Sequence, residues 1–163
     1  MQSLRHTVLD VDFVGDVQWP PAMRANANAI WLPVCTLAIW TLVVLFLTGF
    51  RRIRAVARGL VPRNAFRVGE PLDLPVHVAV ANRNLMNLLE LPLLFYVVCT
   101  CLFVTSHVQR GLVVQAWTFV GLRLLHSLIH LTSNRVPQRL LVFALSNVVL
   151  VAMWIGFLRS LLL

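Results

Sequence analysis

The stretch VHVAVANRNLMNLLELPLLFYVVCTCLFV, residues 76–104, decides the fold. It is apolar and longer than the roughly 20 residues that a helix needs to cross a bilayer. In lipid, a single unbroken segment satisfies its own backbone polar groups only as a helix. Its first half is nevertheless interrupted by Asn82, Arg83, Asn84, Asn87 and Glu90. The segment therefore reads as a membrane-crossing helix that carries charge in one half.

Working outward, three further apolar runs flank it. The first span covers about residues 29–50, the third about 112–132 and the fourth about 138–158. Six arginines, Arg51, Arg52, Arg54, Arg58, Arg63 and Arg67, follow the first span, and Gly59, Pro62, Gly69, Pro71 and Pro75 mark the next stretch as a loop. Pro137 fits the start of the fourth helix, where its missing N–H is no loss. Short loops imply sequential antiparallel packing. The fold expected is an all-α integral membrane bundle of four transmembrane helices. Residues 1–28, with Asp10, Asp12 and Asp16 and no long apolar stretch, read as an N-terminal extension without a secretory signal, and 29–163 as one domain.

Composition agrees. The chain has 163 residues, 59% of them hydrophobic and 12% charged, with a mean hydropathy of +0.81. Soluble domains average about 25% charged residues, so an ordinary cytosolic enzyme, a disordered protein and a disulfide scaffold are all excluded. The net charge is +8, from fourteen arginines, no lysine and six acidic residues. These arginines flank apolar runs, which points to membrane orientation rather than to nucleic acid. With the first loop inside, eight arginines lie inside and four outside. Both termini are then non-cytoplasmic. Cys35, Cys99 and Cys101 all sit within apolar runs and read as small hydrophobes, not as a disulfide or zinc framework.

The intramembrane polar residues carry the functional reading. Each charge in the bilayer costs about 2.5–3.5 kcal/mol on insertion scales, so such residues avoid lipid and seek partners. Arg83, Asn87 and Glu90 are spaced to fall on one helical stripe, and Arg123, His126 and His130 form a second. Both lie at the cytoplasmic level, where Arg52 closes the first span and Arg139 opens the fourth. One reading is packing alone, with Arg83 paired to Glu90 and the histidines bonded across helices. The other is a basic pocket, walled by apolar helices, for a small anionic ligand and a hydrophobic co-substrate. A packing pair needs neither the extra arginines nor two histidines at one depth, which favours the pocket. His126 and His130, one turn apart, also fit a helical metal site; nearby arginines would repel the cation, so no metal is expected. Charges confined to one depth argue against an ion pathway.

The segment Arg83-Asn-Leu-Met-Asn87-Leu-Leu-Glu90-Leu-Pro92 resembles the signature of the MAPEG proteins, membrane-associated proteins of eicosanoid and glutathione metabolism. Arg123-x-x-His126-x-x-x-His130 followed by Arg139 is similar to the pattern of that family's prostaglandin E synthases. The resemblance covers about residues 29–160. It implies a homotrimer that binds glutathione between subunits on the cytoplasmic side. By matching position, Arg83, Asn87 and Glu90 would hold the tripeptide, Arg123, His126 and His130 would complete its shell, and Arg52 would join from the first span. Arg139 matches the arginine that stabilises the thiolate. His130 and Phe143 stand where relatives commonly have tyrosine, and Pro92 follows Glu90 by two residues rather than three.

The function expected is that of a glutathione transferase or peroxidase acting on a lipophilic electrophile, in a bacterial inner membrane. Glutathione is then the co-substrate, and the partners are a second and third copy of the chain, a hydrophobic small molecule or lipid, and membrane lipids. The alternative is a non-catalytic membrane protein that binds lipid or glutathione.

Overall fold

A computed structural model of the chain describes residues 28–67, 69 and 73–162. The extension expected over residues 1–28 lies outside them, save for Asn28. Four helices follow in order: α1 (Trp31–Ala57), α2 (Val76–Val104), α3 (Arg110–Leu131) and α4 (Val136–Leu162). Each is long and apolar enough to cross a membrane. No strand occurs among the described residues.

The boundaries follow from local chemistry. α1 runs seven residues past the apolar stretch ending at Phe50, because arginine and alanine are good helix formers and dominate Arg51–Ala57. It stops at Gly59, whose φ of +67° allows the two closing bonds, Gly59 N–H to the Val56 carbonyl and Leu60 N–H to that of Ala55. This is the left-handed turn that glycine adopts without penalty. α2 ends in the same way, with Ser106 at φ 64° in glycine's place and His107 N–H bonded to the Leu102 carbonyl. Pro92 sits buried within α2 without ending it. Neighbouring helices can compensate for a proline's lost hydrogen bond in a membrane span.

α1 packs on α2 and α3, and α4 packs on α3 and α2, so α2 and α3 form the central pair. Besides Asn84 and Val98, the buried face of α2 holds Val78, Ala81, Leu85, Leu88, Pro92, Phe95, Cys99 and Leu102. Their spacing alternates between three and four, the seam of a helical bundle. Phe95 stacks on Phe119 of α3 with ring centroids 4.7 Å apart, and Trp31 meets Phe103 edge-on at 5.1 Å. Gly156 lets α4 approach α3 closely, since a Cβ there would come within 2.8 Å of Leu112 Cδ2. The outward faces are apolar, with Phe46 73% and Ile53 71% exposed. The chain is a multi-pass membrane protein. All three cysteines are free thiols, and Cys35 is exposed.

Candidate functional site

The polar residues of α3 turn into the bundle. Arg123, His126, Ser127 and His130 are all buried, Arg123 completely. The Arg123 guanidinium lies between two aromatic faces, 5.2 Å from the Phe119 centroid and 5.0 Å from that of Phe143. Its Nη2 donates to Asn147 Oδ1 at 3.0 Å, while Nε and Nη1 have no partner. No carboxylate faces it among the described residues. The chain thus keeps a charge buried with one hydrogen bond and two ring faces for company.

Arg139, in the first turn of α4, is the hub of the arrangement. Its Nη1 donates to Asn134 Oδ1 at 2.8 Å and to His130 Nε2 at 3.2 Å. Its carbonyl accepts from His126 Nδ1 at 3.1 Å. A carbonyl only accepts, so that ring nitrogen carries a proton, and in the neutral ring His126 Nε2, which is buried and unpartnered, keeps its lone pair. Asn134 can hold the arginine because it takes a left-handed conformation (φ 48°) in the α3–α4 turn. Asparagine tolerates that region better than most residues.

Asn87, His126, Val136, Arg139, Leu140 and Phe143 line a cavity of about 210 Å³ between α2, α3 and α4. Its polar side is Asn87, His126 and Arg139. Its apolar side includes Val136 and Leu140, both largely exposed on the outer surface. His130 opens instead on a second cavity, of about 380 Å³, which it shares with Arg51, His77 and Asn134. The Arg139–His130 contact stands between the two.

Arg83 and Glu90 are in the lining of neither cavity, although the Arg83 charge reaches His130. Both are exposed on the outer face of α2, and neither pairs with the other, so the packing pair is not formed within the chain. Glu90 is fourteen residues from the end of α2 at Val104, about 21 Å along the axis and well within a hydrocarbon layer of about 30 Å. Arg52 also stands apart. Its Nη2 donates to Asn82 Oδ1 at 2.6 Å, and it lines a third cavity near the end of α1.

A sequence model of the MAPEG family matches residues 30–159, which span all four helices. The chain belongs to the MAPEG family. No curated relative and no solved structure matches it. In this MAPEG chain the Arg123–His126–His130 stripe and Arg139 come together, with Asn87 at the cavity edge. Sequence reading did not pick out Trp40, Asn84, Ser127, Asn134 or Asn147 for this neighbourhood. Trp40 Nε1 and Asn84 Nδ2 both donate to Ser127 Oγ, at 2.9 and 2.7 Å, and tie α1, α2 and α3 together beside the site. Trp40 had a legible signal: a tryptophan at mid-span is far from either interface, so its N–H needs an internal partner.

Proposed function

We propose that the chain is a glutathione-dependent membrane enzyme, a transferase or peroxidase acting on a lipophilic electrophile. The observation that carries this reading is Arg139. Its guanidinium is clamped by Asn134 and His130 beside a cavity that is cationic on one side and apolar on the other. The first turn of α4 adds partial positive charge there. A thiolate gains from both, and a free thiol with a pKa near 8.5 is drawn toward its nucleophilic form. The exposed Val136 and Leu140 give a lipophilic co-substrate a way in from the membrane.

The same reading assigns Asn87, Arg123, His126 and His130 to the glutathione shell, together with Arg83 and Glu90. It also takes the protein as a homotrimer. A cavity of about 210 Å³ falls below the 300–1,000 Å³ usual for small-molecule sites, so a neighbouring subunit completes it. Exposed Glu90 at hydrocarbon depth supports the same conclusion, because a subunit contact removes it from lipid. The same reading takes the membrane to be a bacterial inner membrane, and the arginine balance supports a cavity on its cytoplasmic side with both termini opposite.

One observation favours the second reading, a non-catalytic protein that binds lipid or glutathione. Phe143 brings no hydroxyl to the cavity, so any thiol activation falls on Arg139 and the histidines. Thermal-shift titration of the detergent-solubilised protein with glutathione, followed by conjugation of a general electrophile, tests both. Stabilisation with turnover supports the enzyme, stabilisation alone the binder, and no stabilisation rejects the site.

A further inference from the structure

The cavity beside the end of α1 belongs to neither the thiolate site nor its histidine neighbour. It measures about 430 Å³ and is lined by Arg52, Ile53, Val56, Ala57, Arg63 and Phe66. Two guanidinium groups stand over an apolar wall, and among the described residues no acidic one is in the lining. The α1–α2 loop builds this wall deliberately: Ala55, Val61 and Val78 form a small separate core on which Val56, Ala65, Phe66 and Leu74 pack. The Gly59 turn sends the chain back to reach it.

Three features define what the cavity would hold. The first is charge. Arg52 is fixed in place by its bond to Asn82 and by the Phe66 ring, 5.0 Å beneath its guanidinium, yet its buried Nε has no partner. Arg63, exposed in the lining, supplies the second cation. The second feature is depth. Trp31–Phe50 is twenty residues, about 30 Å of helix, which matches the hydrocarbon layer. Arg52 and Ile53 then fall at the headgroup level. The third is a track: Phe46, Phe50 and Ile53 follow one another at helical spacing and are 73%, 59% and 71% exposed. That apolar stripe runs from about 6 Å inside the hydrocarbon boundary up to the cavity mouth.

We propose that this cavity is a binding site for an anionic phospholipid, its phosphate held between Arg52 and Arg63 and one acyl chain lying along Phe46, Phe50 and Ile53. The shared chemistry with a free phosphate is the guanidinium pair, but the apolar stripe commits the site to a lipid. Basic pockets at the ends of membrane helices take such headgroups. The site takes for a lipid the Arg52 that the family resemblance gives to the glutathione shell. Arg52 does not line the Arg139 cavity, and the test is run without glutathione so that the two readings stand or fall separately.

The test uses the full chain, purified in mild detergent, delipidated, and offered phosphatidylglycerol, phosphatidylcholine of the same acyl chains, or inorganic phosphate, all without glutathione. Native mass spectrometry should show phosphatidylglycerol retained under activation that strips phosphatidylcholine, and phosphatidylglycerol alone should raise the thermal midpoint. Arg63→Ala should weaken phosphatidylglycerol binding about fivefold, the equivalent of one interfacial arginine. Phe66→Ala should weaken it too, by releasing Arg52. Arg58→Ala removes the same charge from the same stretch but outside the cavity, and should leave retention unchanged. Equal retention of the two lipids, equal loss with Arg58→Ala and Arg63→Ala, or protection by inorganic phosphate equal to that by phosphatidylglycerol would each overturn the site.

Discussion

His126 donates its Nδ1–H to the main-chain carbonyl of Arg139 at 3.1 Å, while His130, one turn on, accepts from the guanidinium of the same residue. One arginine is thus held at both its backbone and its side chain by two histidines of the neighbouring helix. In the neutral ring the bond also fixes the His126 tautomer, which leaves Nε2 without a hydrogen. The first prediction follows. His126→Phe keeps an aromatic ring but removes the donor, at a cost of about 1 kcal/mol, or a fall of about 2–4 °C in thermal midpoint. Stabilisation by glutathione should fall by far more than that. Equal stabilisation of variant and parent would remove His126 from the site.

Asn134 serves two purposes that can be separated. It occupies the left-handed region at φ 48°, and its Oδ1 accepts from Arg139 at 2.8 Å. Asn134→Gly keeps the backbone but loses the clamp, so the thermal midpoint should fall only by the few degrees that one hydrogen bond is worth while turnover drops. Asn134→Ala loses both, and a left-handed alanine costs about 1–2 kcal/mol more. The two variants should therefore match in activity loss and differ in melting. If Asn134→Gly retains full turnover, Arg139 needs no clamp.

Arg123 tests whether a buried charge is there for stability. Breaking a buried pair is costly, but replacing a buried charge with an apolar residue of similar volume is often neutral or stabilising by about 1–4 kcal/mol. Arg123 has no carboxylate partner among the described residues, and two of its nitrogens are unsatisfied. Arg123→Met should accordingly melt at the same temperature or higher, yet lose the response to glutathione. A fall in midpoint of several degrees would make Arg123 a structural residue instead.

The exposed α2 charges yield a prediction about assembly. Arg83 and Glu90 do not pair within the chain, so Arg83→Ala and Glu90→Gln strand nothing inside one subunit. Each chain should still fold, with helical content unchanged by circular dichroism. Trimer and glutathione binding should be lost together, read by native mass spectrometry from mild detergent. A parent protein that runs only as monomer would dismiss the subunit contact outright.

Much of this was legible in the sequence, and the exceptions have physical causes. The spans stand out because apolar runs of bilayer length have few competing explanations. α1 and α4 extend beyond those runs because a helix continues for as long as the residues favour it, whatever the solvent. The α3 stripe could be read because Arg123, His126 and His130 share a face that the bundle buries. Arg83 and Glu90 could be read as a stripe that avoids lipid, and their exposure in the single chain leaves a subunit contact as what would cover them. The apolar seam from Val78 to Leu102 already places those two residues on the opposite side of α2, at ~100° per residue. The contributions of Asn134 and Asn147 were not legible, because which turn or helix meets an arginine is settled only by tertiary packing.

Arg139 separates an enzyme from a binder. Its guanidinium and the first turn of α4 both favour negative charge in the cavity, so bound glutathione should ionise below its free pKa near 8.5. Arg139→Ala removes the larger of the two contributions and should return the thiol toward that value. The sign is then fixed: the variant's loss of turnover is greatest near pH 7, where the parent still holds thiolate, and shrinks toward pH 9, where free thiol ionises unaided. The loss near neutrality should be about 100-fold or more, as for other pre-placed charge stabilisers, with glutathione affinity left largely to α2 and α3. Arg139→Lys keeps the charge but on a shorter, more strongly hydrated ammonium in place of the guanidinium, so it should recover only part of the rate. Difference absorbance at ~240 nm, where thiolates absorb, follows the ionisation directly. An unshifted glutathione pKa in the parent protein, with no conjugation of a general electrophile, would leave the non-catalytic reading in possession of the site.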